Sequence, residues 1–127
     1  MSYYIERRVE GAFEEVVSRV VEALAEQGFG VLTDIDIKAT LAAKLGVEFR
    51  PYRILGACNP PFAYQALLAE EKVGTMLPCN VVVQETDEGI SIAAVDPLAS
   101  MQAIDNPALA GIAQEVRDRL RRAVEAA

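Results

Sequence analysis

The chain offers few groups able to do chemistry, and most of them fall at the ends of extended segments. Cys58 closes Arg53-Ile54-Leu55-Gly56-Ala57-Cys58 and precedes Asn59-Pro60-Pro61, so a strand runs out where a helix begins. At such a junction unpaired amides and the helix dipole lower a thiol's pKa, and the thiolate is the reactive form. Asn59 reads as the helix cap and Pro60 as its first residue. Cys79 follows Pro78, a residue type confined to the start or edge of a strand, which puts the second thiol at a strand end as well. One function this pair permits is thiol redox or sulfur-carrier chemistry on Cys58, with Cys79 resolving. The plainer reading of Cys58 is a small buried residue at a sheet–helix junction. Asp34, Asp36 and Asp96 also fall at strand ends. A pair such as Asp36 and Asp96 divides acid and base work when its surroundings split the two pKa values. Strand-end aspartates more often cap helices or shape turns. Arg53 and Lys38 are the cations available to neutralise them or to bind an anion. Arg50-Pro51-Tyr52-Arg53 is a compact Arg–aromatic patch of the kind found at ligand or subunit contacts.

What is missing bounds the chemistry. None of the 127 residues is histidine. Ser-His-Asp and Cys-His nucleophilic mechanisms are thereby excluded, as is any metal site that needs imidazole. A zinc site needs about four ligands. Here it would have to combine two cysteines that lack C-x-x-C spacing with carboxylates, so no metal is expected. Gly28-Phe29-Gly30 contains a G-x-G, but it follows a helix and precedes a strand, the reverse of the dinucleotide fingerprint. No cofactor class is indicated.

The formal net charge is −7, from 12 Lys+Arg against 19 Asp+Glu. That balance argues against nucleic acid, whose phosphates call for a cationic surface. Apolar runs such as Val81-Val82-Val83 are strand-length, far below the ~18–20 residues of a membrane-spanning helix. The first residues carry no apolar stretch of the secretory type, so a cytoplasmic protein with reduced thiols is expected.

The positioning elements follow from periodicity. Residues 3–9 read as a strand. Phe13, Val16, Val17, Val20, Val21 and Leu24 fall on one face of a helix that Gly28 ends. From Phe29 the period becomes two: Phe29, Val31, Thr33, Ile35 and Ile37 point one way, and Leu32, Asp34 and Asp36 the other. Asp36 caps a short helix through Leu41 and Leu45, stopped by Gly46. Residues 51–57 form a third strand, and the helix from Asn59 fades by residues 71–74. Residues 77–85 and 89–95 make a hairpin, and Asp96-Pro97 begins a turn or short helix. The last helix is capped by Asn106, opened by Pro107 and striped by Leu109, Ile112, Val116, Leu120 and Val124. Its cluster of Arg117, Arg119, Arg121 and Arg122 reads as a solvated face. The order β-α-β-α-β-α-β-β-α predicts one domain over residues 1–127. Its fold class is a two-layer α/β sandwich with a mixed sheet of about five strands.

Four stretches together resemble the domain-of-unknown-function family 302. They are Gly28-Phe29-Gly30-Val31-Leu32-Thr33-Asp34-Ile35-Asp36-Ile37-Lys38, Tyr52-Arg53-Ile54-Leu55-Gly56-Ala57-Cys58-Asn59-Pro60, Leu77-Pro78-Cys79-Asn80-Val81-Val82-Val83 and Asp96-Pro97. The resemblance covers roughly residues 10–125 and is closest to small stand-alone bacterial and archaeal members. It implies a compact α/β protein that forms homodimers, with no established reaction and no catalytic residues to carry over. The expectation is a homodimeric ligand- or partner-binding domain. A small anion would sit at the Cys58-Asn59-Pro60 helix start beside Arg53, with Cys79 and Asp36 as further ligand-contacting residues.

Overall fold

The computed structural model describes residues 2–127. Five strands form one sheet: β1 (Tyr4–Val9), β2 (Gly30–Asp36), β3 (Tyr52–Cys58), β4 (Cys79–Thr86) and β5 (Gly89–Val95). Between and after them lie α1 (Phe13–Glu26), α2 (Ile37–Leu45), α3 (Pro60–Ala69), a 3₁₀ turn (Val73–Met76), the single turn α4 (Pro97–Ser100) and α5 (Ala108–Ala126). The spatial order is β1-β5-β4-β3-β2, and all four pairings are antiparallel. The expected two-layer α/β sandwich on five strands is present. The mixed sheet is not, because α2 and α3 each join neighbouring antiparallel strands, while α1 carries the chain from one edge strand to the other.

The helix layer covers one face only. Leu55, Ala57, Cys79, Val81, Val83, Ile90, Ile92 and Ala94 point toward α1 and α5 and meet Val16, Val20, Leu24, Val116, Leu120 and Val124. Burying each large aliphatic side chain in this set stabilises the fold by roughly 1.5–3 kcal/mol. Val21, expected on the buried stripe of α1, is 37% exposed at its margin. A smaller core of Ala66, Val73, Met101, Leu109 and Ala113 joins α3, α4 and the start of α5. Among the described residues no helix is long and apolar enough to cross a membrane.

Local chemistry explains the boundaries. Gly28 takes φ +88° where α1 ends, and Gly89 takes φ +112° after the two-residue Asp87-Glu88 loop of the β4–β5 hairpin. The Asn106 side chain accepts the Ala108 amide at 3.0 Å, with Pro107 already helical, as expected for the start of α5. In β2 the register steps from Val31↔Ala57 to Thr33↔Gly56, so Leu32 is an extra residue in a β-bulge. The predicted alternation therefore breaks at Leu32. Val31 and Asp34 share the helix-facing side through their partners Ala57 and Leu55, while Thr33 and Ile35 turn to the open side.

Helix α2 is capped at both ends, by Asp36 and by Gly46 in the left-handed region, yet it has no buried residue. Nine residues without a packed face make a marginal helix. Hydrogen exchange is expected to show α2 amides opening well before those of α1 and α5. Asp36→Ala removes about 1 kcal/mol of cap stabilisation, and should speed exchange at residues 39–45 while leaving α1 and α5 protected.

Candidate functional site

The antiparallel register decides which of the candidate residues meet. Arg53 is the second residue of β3 and Cys58 its last, five residues apart on one strand. At ~3.4 Å per residue they lie roughly 17 Å apart, so Arg53 is not beside the Cys58-Asn59-Pro60 helix start. Its guanidinium instead holds two carboxylates: Nε donates to Asp34 Oδ1 at 2.8 Å and Nη2 to Asp34 Oδ2, and Nη1 bonds Glu14 at 3.0 Å. The expected neutralisation of a strand-end aspartate by Arg53 is thus found at Asp34. With its side chain 18% exposed, Arg53 ties the first turn of α1 to the β2–β3 edge.

Asp36 and Asp96 fall at opposite ends of the sheet. The row through Asp36 crosses β3 at Arg53, β4 at Val83 and β5 at Ile92. Asp96 lies four residues beyond Ile92 and three strands away, about 20 Å in all by strand spacing and rise. Shared acid–base work by this pair is ruled out by that separation. Each aspartate has a local task. Asp36 Oδ1 accepts from the Ala39 amide at 2.9 Å. Asp96, 7% exposed, accepts from the Leu98 amide and from Arg117 Nε, both at 3.0 Å.

At the lower end of the sheet, Asn59 does not cap α3 with its side chain. It is buried, and Nδ2 donates to the Gln27 carbonyl at 3.3 Å, beneath Gly28. Arg119 Nη1 donates to the same carbonyl at 3.3 Å while its guanidinium lies 5.2 Å from the Phe62 ring. Arg122 reaches Gln27 Oε1 at 3.4 Å. The arginine cluster is therefore not a purely solvated face: Arg117, Arg119 and Arg122 tie α5 to the start of α4 and the end of α1. The start of α3 is a poor anion site for a reason visible in its sequence. Pro60 and Pro61 occupy its first two positions and have no N–H, which leaves Phe62 as the only free amide of the first three.

Cys58 and Cys79 are both unpaired thiols. Cys79 pairs in register with Ala57, so Cys58 is one step out of line with it. Successive strand residues leave opposite faces. Cys79 accordingly points into the core, and Cys58 emerges half-buried on the open side. Burial, with a smaller contribution from Cys58, pushes the Cys79 thiol up to about 11. A thiol so protonated at neutral pH is a poor resolving nucleophile. Cys58 and Cys79 nevertheless both border one cavity of about 30 Å³, with Asn59, Phe29, Phe62 and Met101, room for about one water. Gly56 does permit a close approach, as expected, but what approaches are the Thr33 and Pro78 side chains, where a Cβ would collide with both.

A second concavity joins Tyr52, Asn80 and Val82 of the motif stretches to residues the motifs did not single out. On the open face, Asn80, Val82, Gln84, Ser91, Ala93 and Val95 form a floor of small side chains on β4 and β5. Tyr3 and Tyr4 rise at one corner and Tyr52 at the other, enclosing a trough of about 400 Å³. That volume is within the ~300–1,000 Å³ of small-molecule sites. Ser91, 2% exposed, donates to Glu6 Oε2 at 2.6 Å, and Arg8 Nε lies 3.8 Å from the same oxygen. The signal for this site in the sequence was the alternation of small residues in 80–84 and 91–95, legible once the open side is known. Among the described residues no group of three or more Cys, Asp or Glu is placed to hold a metal.

Two measurements check this geometry. Hydrogen bonding from Arg53 holds the Asp34 carboxyl below the usual aspartate range. Its stabilisation is therefore complete above the unfolded value of ~3.9 and is lost as pH falls through the folded value. Asp34→Asn should lower stability at pH 7 and flatten the acid limb of a denaturation profile below about pH 4. A thiol-reactive disulfide reagent at pH 8 should titrate one cysteine quickly in the native protein and two after unfolding. Fast native reaction of both would contradict the buried Cys79.

Comparison with known proteins fits this architecture. The chain is similar to an uncharacterised conserved DUF302 protein from Bacillus stearothermophilus, whose crystal structure superposes with a TM-score of 0.92 at 30% identity over 98% of both chains. Among curated proteins none matches. The family described as domain of unknown function DUF302 matches residues 5–127. The chain therefore belongs to the DUF302 family.

Proposed function

We propose that this chain is a homodimeric ligand- or partner-binding domain that works through the open face of its sheet. One observation carries the reading. On the three central strands that face presents Ser91, Ala93 and Val95, then Asn80, Val82 and Gln84, then Tyr52, Ile54, Gly56 and Cys58, with no charged side chain among them. In a chain of 24% charged residues, such a surface has the composition of an interface core, where charges are depleted and tyrosine is enriched. Two copies, each at −7, repel one another, so close contact is least costly where few charges must be desolvated, and on this side those are Glu6 and Arg8 of the edge strand β1, which face each other.

The other readings have less support. An anion at Cys58-Asn59-Pro60 lacks both the amides removed by Pro60 and Pro61 and the charge of Arg53. Thiol chemistry has Cys58 only half-buried, but its partner Cys79 is held protonated in the core. The two unpaired thiols fit a reducing compartment, and the cytoplasm is the location we propose.

Sedimentation velocity tests the dimer. The protein is expected to sediment at twice the chain mass, and Val82→Arg, which places a charge at the centre of the open face, should give a folded monomer. Leu68→Arg, on the outer side of α3, should leave the dimer intact. A wild-type monomer at every concentration tested, or a dimer that survives Val82→Arg and not Leu68→Arg, rejects the open-face interface.

A further inference from the structure

We propose that the trough on the open face binds a small amphipathic organic oxyanion, with its carboxylate or phosphate head on Arg50 and its flat apolar body over Val82 and Ala93. The inference takes the open face as the functional surface, as the reading above does, and adds the ligand class.

The argument begins with which charges are already compensated. Arg53 is taken by Asp34 and Glu14, Arg8 by Glu88 and Glu6, Arg117 by Asp96 and Arg119 by Glu115. Among the described residues Arg50 has no carboxylate partner, a lack it shares with Arg7, Arg19, Arg121, Arg122 and the three lysines, and what sets it apart is its contact with Gln84 and Tyr52 of the trough. It is nevertheless held in place. Nε donates to Gln84 Oε1 at 2.9 Å, and the guanidinium carbon lies 4.4 Å from the Phe49 ring centroid and 5.6 Å from that of Tyr52. Gln84 and Tyr52 both line the trough, which puts Arg50 next to it, and Arg50 itself borders the adjoining concavity with Gln84, Glu85, Thr86 and Asp87.

The geometry suits one kind of head group. With Nε engaged by Gln84, the end-on edge of the guanidinium, Nη1 and Nη2, remains for a bidentate contact with two oxygens of a carboxylate or phosphate. Stacking on two rings fixes the plane before the ligand arrives and lowers the entropy cost of binding. The carboxylates nearby form no ion pair with Arg50, although Glu85 and Asp87 border the adjoining concavity with it. Glu6 is already bonded to Ser91 and faces Arg8, and Glu85 follows Gln84 and so leaves the opposite face of the sheet. Asp87 lies in the hairpin loop beyond the strand end. Away from the head, Val82, Ala93 and Val95 supply an apolar floor, and Asn80 offers an amide to a polar substituent.

A ¹H–¹⁵N titration of the full chain with four probes tests the proposal. Phenyl phosphate and phenylacetate are expected to shift the amides of Val82, Gln84 and Ala93 and the Arg50 Nε resonance. Inorganic phosphate should bind more weakly, having a head and no body, and benzylamine should not bind in the trough. Arg50→Gln should weaken phenyl phosphate at least about tenfold, while Arg121→Gln on α5 leaves it unchanged. Equal binding of benzylamine, shifts centred on residues 117–122, or undiminished affinity in Arg50→Gln each overturn the assignment. Sedimentation of the same samples separates this result from the dimer. A monomer that binds phenyl phosphate at Arg50 keeps the ligand and removes the dimer, and a dimer with no probe in the trough does the reverse.

Discussion

The architecture depends on one constraint: a five-stranded sheet has two faces, and the chain supplies helices for one. The α1 connection must carry the backbone from the β1 edge to the β2 edge, beneath all the strands between them. α5 then packs beside α1, and together they close the apolar side. Once that side is filled, α2 and α3 are left to bridge neighbouring strands at opposite ends. Neither buries more than one residue. The division between a saturated inner face and a bare outer one follows from strand order.

Electrostatics secures the helix layer at its corners. Arg53 fastens the beginning of α1 to β2, and the Gln27 carbonyl at its end receives both Asn59 and Arg119. Arg117 joins α5 to the cap of α4 through Asp96. These pairs are partly screened from water, so losing one partner leaves a charge poorly solvated. Their greater effect is on orientation, since each joins elements distant in sequence.

Much of this could be read from the sequence because its cues are local. Asp36 before a short helix, Gly46 after it, Pro60 at the head of α3 and Asn106-Pro107 at the head of α5 each specify a helix end by nearest-neighbour chemistry. The apolar stripe of α5 and the Thr86–Gly89 turn are of the same kind. What was illegible depended on register. The bulge at Leu32 reverses which side Asp34 occupies, and no residue type announces it. The separation of Arg53 from Cys58, and of Asp36 from Asp96, became clear only when strand order and direction were known. Asn59 shows how a good local signal is overruled: Pro60 and Pro61 leave few amides to cap, while Gln27 presents within reach a carbonyl that no backbone amide takes.

The Leu32 bulge has a further effect at the margin of the molecule. A regular edge strand displays evenly spaced amides and carbonyls on which another chain can template itself, and successive additions have no natural end. By inserting one residue, the bulge puts the β2 ladder out of phase with any straight strand laid against it. Asp34 and Asp36 beyond it add charge along the same rim. At the other border, β1 carries Glu6, Arg7 and Arg8 within six residues. Growth into fibres along the hydrogen-bonding direction is therefore frustrated at both borders.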